Sequence, residues 1–469
     1  MHISIAVYNS VRMDQPDVFD AIIIGAGAAG LAAASELRAS GRSVVVIEAR
    51  SRVGGRIFTY RDPAIAVPIE LGAEFLHGAT PNTDTLIEAA GLTTVDVVGD
   101  HWRAREGHFK QVDFWKKIEK VLGKLDEHRT PDRSFGDYLA ERAARKRKPR
   151  DARARKLATE FIQGFHAADA ALVSERWLAR GGDPAQSPDE QRTGRVLEGY
   201  DRVPAWLARD VYDAIELNTS VTKIVWERGN VTVTCRNSQG MSNDISGKTV
   251  VVTVPVGVLQ AAPSEIGAIT FAPEIPAVAD AVQGLAMGSV LRTVFAFSER
   301  FWEKGLRNAP RHGGSGLTSL SFLHSPGATF PVWWTQFPVR APMMVGWVGG
   351  PGARDLGGQS DADIERIALH DLALHLGTTY ERLAGLVRGS WMHNWDTDPF
   401  SRGAYSYATV GGSGAARKLA RPVEQTVFFA GEATDTGGHG GTVEGALATG
   451  ARAARGVLQA LGVEPISNQ

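Results

Sequence analysis

The fold is decided by residues 19–30, FDAIIIGAGAAG, which carry an apolar run into a glycine-rich turn. Residues Phe19–Ile24 have the continuous apolar character of a buried parallel strand, and the alanine-rich stretch after the turn predicts a helix over residues 28–40. A second apolar strand is predicted over residues 43–47, and it ends at Glu48. Strand, helix and strand in this order predict the start of a dinucleotide-binding βαβ unit.

Three glycines give the turn the spacing of a pyrophosphate-binding fingerprint, Gly25-x-Gly27-x-x-Gly30. Gly25 permits the tight turn, Gly27 lets a pyrophosphate approach the backbone, and Gly30 allows close packing of helix on strand. Glu48 can accept hydrogen bonds from ribose hydroxyls, and its charge would repel a 2′-phosphate. The sequence therefore predicts a bound dinucleotide without that phosphate.

Length and composition are those of a globular protein with more than one domain. Of the 469 residues 43% are apolar and 22% charged, and a chain of this length predicts two or three cooperating units. Because 51 basic residues balance 52 acidic ones, neither nucleic acid nor an anionic membrane is expected as a partner.

Residues 1–17 are interpreted as a leader that is neither signal peptide nor anchor. The single cysteine, Cys235, favours a cytoplasmic location.

Two distant blocks of the sequence carry a family resemblance. One is Glu48-Ala49-Arg50 followed by Gly54-Gly55-Arg56; the other combines residues 403–407 (GAYSY), 428–434 (FFAGEAT) and 441–446 (GTVEGA). Together they resemble the flavin-containing amine oxidase superfamily, which includes monoamine oxidases, polyamine oxidases, L-amino acid oxidases and histone lysine demethylases. Residues 70–78, ELGAEFLHG, are most similar to the polyamine oxidase branch. The resemblance implies FAD as the cofactor.

The expected fold is an α/β flavoprotein of two domains, a Rossmann-like FAD-binding domain and a substrate domain of mixed sheet and helices. The discontinuous FAD-binding domain is assigned residues 18–100, 215–265 and 400–460. The substrate-binding domain is assigned residues 101–214 and 266–399. The active site is expected between them, where ligands commonly bind.

The chemistry of the motifs and the resemblance to the amine oxidase superfamily together predict the cofactor contacts. Arg56 can pair with a phosphate, and the Thr442-Val443 turn would point a helix N-terminus at the flavin. Ala404 stands where monoamine oxidases carry the cysteine that attaches the flavin, so a non-covalent FAD is expected. The expected cofactor contacts are Gly25, Gly27, Ala29, Gly30, Glu48, Ala49, Arg50, Gly54, Gly55, Arg56, Gly72, Ala73, Glu74, Val221, Trp395, Gly431, Glu432, Thr442 and Val443.

The expected catalytic residues are Arg292, His77 and Tyr405. A neutral imidazole at His77 can accept a proton from an amine, and Tyr405 matches the aromatic residue that stands beside the flavin in the family. The family usually has a lysine at the position of Arg292, where it holds a water against flavin N5. Arginine keeps the positive charge but cannot donate a proton near neutral pH. The expected substrate contacts are Glu74, His77, Phe400, Tyr405 and Thr442, and no metal is expected.

Each substrate-side residue also has a structural interpretation. Glu74 could attract a polycation, or its carboxylate could face solvent while His77 hydrogen-bonds a nearby backbone group. Trp395 and Phe400 could border the amine or pack in the core.

The resemblance implies oxidation of an amine, a polyamine or another primary or secondary amine. Hydride transfer to flavin N5 would give an imine and then an aldehyde, with O₂ reduced to H₂O₂. An L-amino acid oxidase is a second interpretation, although residues 70–77 contain no arginine to bind a carboxylate. A third is a flavin-binding protein with lost or altered turnover, because Arg292 replaces the lysine. A homodimer is compatible with the sequence.

Overall fold

The computed structural model describes residues 17–112, 121–145, 149–181, 192–304, 306 and 317–463. Nearly all of the leader predicted for residues 1–17 lies outside this part of the chain. Among the helices of the described residues, none combines the length and apolar composition needed to cross a bilayer.

The described residues form a mixed α/β structure built around two large sheets. The strands are β1 (Phe19–Ile24), β2 (Val44–Ile47), β3 (Thr59–Tyr60), β4 (Ile69–Glu70), β5 (Phe75–His77), β6 (Thr94–Asp96), β7 (Asp100–Arg105), β8 (His108–Gln111), β9 (Thr193–Val196), β10 (Ile215–Glu216), β11 (Thr219–Glu227), β12 (Asn230–Asn237), β13 (Ser242–Val252), β14 (Thr270–Ala272), β15 (Leu285–Gly288), β16 (Val290–Phe297), β17 (Leu320–His324), β18 (Val332–Thr335), β19 (Met343–Gly349), β20 (Val387–Met392), β21 (Tyr405–Ala408) and β22 (Val427–Phe429). The helices are α1 (Ala28–Ala39), α2 (Pro81–Ala89), α3 (Phe135–Arg145), α4 (Pro149–Phe165), α5 (Glu175–Arg180), α6 (Arg202–Ala208), α7 (Val256–Leu259), α8 (Pro276–Gln283), α9 (Phe301–Lys304), α10 (Pro351–Leu356), α11 (Asp361–Leu376), α12 (Tyr380–Leu386), α13 (Ala415–Leu419) and α14 (Val443–Ala460).

The first sheet places the glycine turn at the carboxyl ends of parallel strands. Its order is β10-β2-β1-β13-β12-β11-β14, with β22 paired to β13. Ile24 at the end of β1 is in register with Ile47 of β2 and Val252 of β13, and all three strands run parallel. The turn after β1 and the acid after β2 therefore leave the sheet at one edge, as in other doubly wound folds.

Two helices pack closely over this sheet. A Cβ on Gly30 of α1 would lie 1.9 Å from the carbonyl oxygen of Gly25, and one on Gly450 of α14 would lie 2.2 Å from the carbonyl oxygen of Ala29. Only a residue without a side chain allows these approaches, so the C-terminal helix packs directly on the fingerprint helix.

The second sheet has the order β20-β16-β19-β18-β17-β7-β8, and β16 is buried along its whole length. Helices α10, α11 and α12 contribute to the apolar core on one side. On the other side Val294 and Val345 pack with Ile69 and Leu71, which follow the βαβ unit in the chain. This second contact brings residues 69–77 between the two sheets.

Two segments that the prediction assigns to the substrate domain pack in the core of the first sheet. Tyr200, Val203, Leu207 and Val211 are buried in the first core although residues 101–214 were assigned to the substrate domain. Strand β14 and helix α8 likewise join the first sheet and its core, beyond the predicted boundary at residue 265. The apolar periodicity of short segments does not specify which of two sheets they pack against, and the domain division stays a prediction.

Candidate active site

A continuous cavity of about 1430 Å³ runs from the glycine turn to the second sheet. Every residue predicted to contact the cofactor or the substrate lines it except Gly30, which packs α1 against the turn. Arg292 lines it as well. The structure thus brings together residues from both ends of the chain around one chamber.

The cofactor end of the cavity is formed by the glycine turn and Glu48. The Glu48 carboxylate is buried and accepts 2.8 Å hydrogen bonds from the N–H groups of Ala26 and Arg50, one on each oxygen. Since a carboxylate oxygen has two lone pairs, each can accept a further hydroxyl. Helix α1 begins after Gly27 without a side-chain cap, and a Cβ on Gly27 would meet nothing within 4 Å. Free N–H groups at a helix N-terminus beside open space suit a pyrophosphate.

The loop after Glu48 lies against this turn. The Gly54 N–H donates to the Ala26 carbonyl over 2.8 Å. Arg56 Nη1 donates to the Ala404 carbonyl and to Glu432 Oε1, each over 2.8 Å. Glu432 is buried and also accepts from the Ser406 hydroxyl. Arg56 therefore links the N-terminal and C-terminal blocks, and only the rest of its guanidinium remains for a phosphate.

Helix α14 begins at Val443, as the sequence predicts. Thr442 is its N-cap residue: its hydroxyl accepts from the Gly445 N–H over 3.0 Å and donates to the His439 carbonyl over 2.7 Å. Thr442 and Val443 line the cavity, so the helix N-terminus faces it. The Thr442 hydroxyl is engaged in capping, and its contact with a substrate stays a prediction.

The substrate end, as we call the part lined by His77, Phe165 and Tyr405, is formed by β5, α4 and β21. Tyr405 Oη donates to the Phe165 carbonyl over 2.7 Å, and the Phe165 and His77 rings meet edge to face with centroids 5.5 Å apart. The His77 ring is open to the cavity but surrounded by protein atoms, and this desolvation lowers its pKa to about 4 despite the opposing charge of Glu74. The imidazole is neutral at pH 7.

Trp395 and Phe400, the two other aromatic residues in the prediction, contact groups outside the substrate end. Trp395 is buried and donates from Nε1 to the Leu71 carbonyl over 3.0 Å, so it fixes the backbone beside the cavity. Phe400 lies under the Arg50 guanidinium, 5.7 Å from its ring centroid. Because Arg50 follows Glu48 directly, this position favours a contact of Phe400 with the cofactor over one with the amine.

The Glu74 carboxylate is paired within the protein. It is buried and accepts from Arg195 Nε over 2.6 Å, from Arg292 Nη2, and from Trp334 Nε1 over 3.1 and 3.2 Å. It neither faces solvent nor carries an unpaired charge for a polycation. Arg195, on β9, was not predicted, because nothing in its local sequence separates it from an ordinary surface arginine.

The glycine turn, the buried acid and the helix N-terminus at one cavity define a dinucleotide-binding oxidoreductase. The chain belongs to the flavin-containing amine oxidoreductase family, whose model matches residues 28–458. It is 30% identical to polyamine oxidase 3 of Oryza sativa subsp. japonica over 92% of this chain and 88% of that protein.

Solved structures show the same fold. Cyclohexylamine oxidase from Brevibacterium oxydans IH-35A matches with a TM-score of 0.77 and 20% identity, covering 95% of this chain and all of that one. Wild-type putrescine oxidase bound to putrescine matches with a TM-score of 0.76 and 21% identity over 94% of this chain and 99% of that one. The protein is thus an FAD-dependent amine oxidoreductase with the two-domain fold of these flavoproteins.

Proposed function

We propose that this protein binds FAD non-covalently and oxidises a primary or secondary amine to an imine, which water hydrolyses to an aldehyde, with O₂ as the final electron acceptor. The observation that carries this proposal is the continuity of the cavity from the Glu48 carboxylate to the His77 imidazole. One chamber can hold a dinucleotide and an organic substrate end to end.

The residues of the cofactor end would hold FAD by its polar parts. The uncapped N-terminus of α1 would bind the pyrophosphate, and Glu48 would accept the ribose hydroxyls. The α14 N-terminus would place a positive dipole end beside the ring system. Bound FAD would supply the two-electron acceptor for the reaction, which the protein itself lacks. Ala404 offers no thiol for a covalent link.

The substrate end would select and orient a neutral amine. His77 would accept a hydrogen bond from the entering ammonium, because its low pKa keeps the imidazole unprotonated at neutral pH. Tyr405 and Phe165 would form an aromatic wall that excludes water and favours the amine over the ring face. Relatives named as polyamine and putrescine oxidases support an amine of this class.

An amino acid substrate is less well supported. Arg292 donates from Nη1 to the Gly72 carbonyl and from Nη2 to Glu74, so this pair of nitrogens offers no free bidentate site for a carboxylate.

The test is anaerobic mixing of the FAD-loaded protein with monoamines, diamines, polyamines and amino acids, followed by admission of air. We expect an amine to bleach the flavin absorbance and air to restore it with release of H₂O₂. Acid precipitation should leave the flavin in the supernatant. Absence of bleaching with every amine would sink the proposal, and faster bleaching by an amino acid than by its decarboxylated amine would favour an L-amino acid oxidase.

A further inference from the structure

Residues Leu71–Glu74, which we call the floor segment, line the cavity between the cofactor end and the substrate end. The Ala73 N–H donates to the Arg56 carbonyl over 3.2 Å, and Phe75–His77 follow directly in the chain. The segment therefore connects the loop that contains Arg56 with the strand that contains His77, along the cavity proposed to hold FAD and the amine.

Arg292 ties the floor segment to the second sheet. Its Nη1 donates to the Gly72 carbonyl over 2.9 Å and its Nη2 to the Glu74 carboxylate. The side chain is only 3% exposed, and its Nε–H has no hydrogen-bond partner among the described residues. A buried guanidinium that keeps one unused donor is costly unless its charge or its donor serves the cavity.

A second arginine holds the same carboxylate from the other side. Arg195 donates to Glu74 and, through Nη1 and Nη2, to the carbonyls of Phe337 at 3.0 Å and Thr335 at 2.9 Å. Burial opposes ionisation of Glu74, but Arg292 and Arg195 outweigh it and hold the pKa of Glu74 below its ordinary value. Two cations therefore share one anion.

Glu70 is a second buried acid whose ionisation affects the net charge of the cluster formed with Arg292, Arg195 and Glu74. It is buried, accepts from the Thr59 hydroxyl at 2.6 Å and the Tyr200 N–H at 2.8 Å, and burial raises its pKa to about 7. Below that pH the cluster carries one excess positive charge, and above it the charges balance.

We propose that Arg292, Glu74 and Arg195 are positioning residues that hold the floor segment and set the charge beside the flavin, with Arg292 favouring the reduced cofactor and Glu74 opposing it. A fixed positive charge near a flavin stabilises the anionic reduced form. The proposal rests on the proposed function only in requiring FAD in the cavity, and it assigns no proton transfer to Arg292.

The test is the midpoint potential of bound FAD, measured by equilibration with a reference dye at about pH 8.5, where Glu70 is ionised given its pKa of about 7. Arg292→Met should weaken the preference for reduced flavin at least about tenfold, about 30 mV for a two-electron couple. Glu74→Gln should shift the potential in the opposite direction. Arg292→Lys, which keeps the charge, should stay within about threefold of the wild type.

Glu303→Gln is the matched control, because Glu303 is a buried carboxylate held by Arg300 at 2.8 Å and Arg340 at 2.7 Å, away from the cavity lining. It should leave the potential unchanged. Shifts of the same sign in Arg292→Met and Glu74→Gln, or none in either, would overturn the proposal. If Arg292→Met does not fold, comparing the midpoint potentials of Glu74→Gln and Glu303→Gln still tests the sign of the shift expected at Glu74. Opposite shifts without amine oxidation would uphold this inference and reject the proposed function.

Discussion

The cofactor end and the substrate end of the cavity differ in how their residues are brought together. Gly25, Gly27, Gly30 and Glu48 come from one βαβ unit, and the register of β1 with β2 places them at one edge. At the substrate side, His77, Arg292 and Tyr405 come from three different sheets and Phe165 from the end of a helix. A local motif therefore determines where the cofactor binds, whereas the surroundings of the substrate depend on long-range packing.

Substitution at the glycine turn gives the largest expected effect. Gly30→Ala would place a methyl group 1.9 Å from the Gly25 carbonyl oxygen, so we expect a loss of at least about 3 kcal/mol in unfolding free energy and no FAD retained on purification. Urea unfolding and the flavin-to-protein absorbance ratio measure this.

Gly27→Ala is the matched control, because a Cβ there meets nothing within 4 Å. The apoprotein should be nearly as stable as the wild type while the Kd for FAD rises at least about tenfold, since the methyl group fills space for the pyrophosphate. Equal destabilisation by both substitutions would contradict the separation of packing from binding at this turn.

Glu48→Ala should weaken FAD binding by about 10- to 100-fold. It removes the ribose acceptor and leaves the N–H groups of Ala26 and Arg50 without partners, at about 1–3 kcal/mol. Titration of the apoprotein with FAD measures the change. Glu48→Gln, which keeps one acceptor oxygen, should lose less, and an unaltered Kd in both variants would remove Glu48 from the cofactor site.

The bounds of the βαβ unit could be predicted closely because local signals agree there. Strand β1 has the predicted bounds, and α1 ends within one residue of its prediction, followed by Gly41 in the left-handed conformation at φ 73°. Helix α11 is bounded by equally local signals, with Ser360 as N-cap and a left-handed Gly377 after it. Apolar periodicity and capping residues act over one or two turns, so the sequence displays them directly.

The partners of Glu74 could not be predicted in this way. Arg195 and Arg292 are 121 and 218 residues away in sequence, and only the packing of β9 and β16 brings them to one carboxylate. Phe165 lies at the end of α4, and its ring reaches the cavity. A charge or an aromatic ring in the sequence does not indicate its distant neighbour, so the chemistry of the substrate end needed the structure.

A smaller effect is expected from the aromatic wall of the substrate end. Phe165→Ala removes the ring that meets His77 at 5.5 Å and should lower kcat/KM for the amine by about tenfold, because such a contact contributes about 0.5–1.5 kcal/mol. Tyr405→Phe removes only the 2.7 Å hydrogen bond to the Phe165 carbonyl and should lower kcat/KM by a smaller factor than Phe165→Ala. Steady-state kinetics with FAD titration tests both. A change in FAD affinity as large as that in kcat/KM would show that the two ends are not separate.

The smallest expected effect is a loss of stability in acid that originates at the substrate end. Burial lowers the pKa of His77 and of His166 to about 4 and that of His324 to about 3, and all three line the cavity. The unfolded chain, with histidine pKa values of about 6.5, binds protons that the folded state does not, so stability is complete above about pH 6.5 and falls as the pH drops toward 4. Glu70 acts in the opposite direction, because its raised pKa lets the folded state bind a proton between about pH 7 and 4.5.

His166→Phe separates these contributions within the holoenzyme. It keeps the aromatic contacts with Phe161 and Trp177, whose centroids lie 5.7 and 5.6 Å away, but it cannot be protonated. Thermal unfolding at pH 7, 6 and 5 should show a smaller fall in Tm for the variant, corresponding to about 1 kcal/mol less lost by pH 5. An equal or steeper fall would place the acid sensitivity outside this histidine. Such a result would leave His77 and His324 as the histidines at the cavity that can account for it.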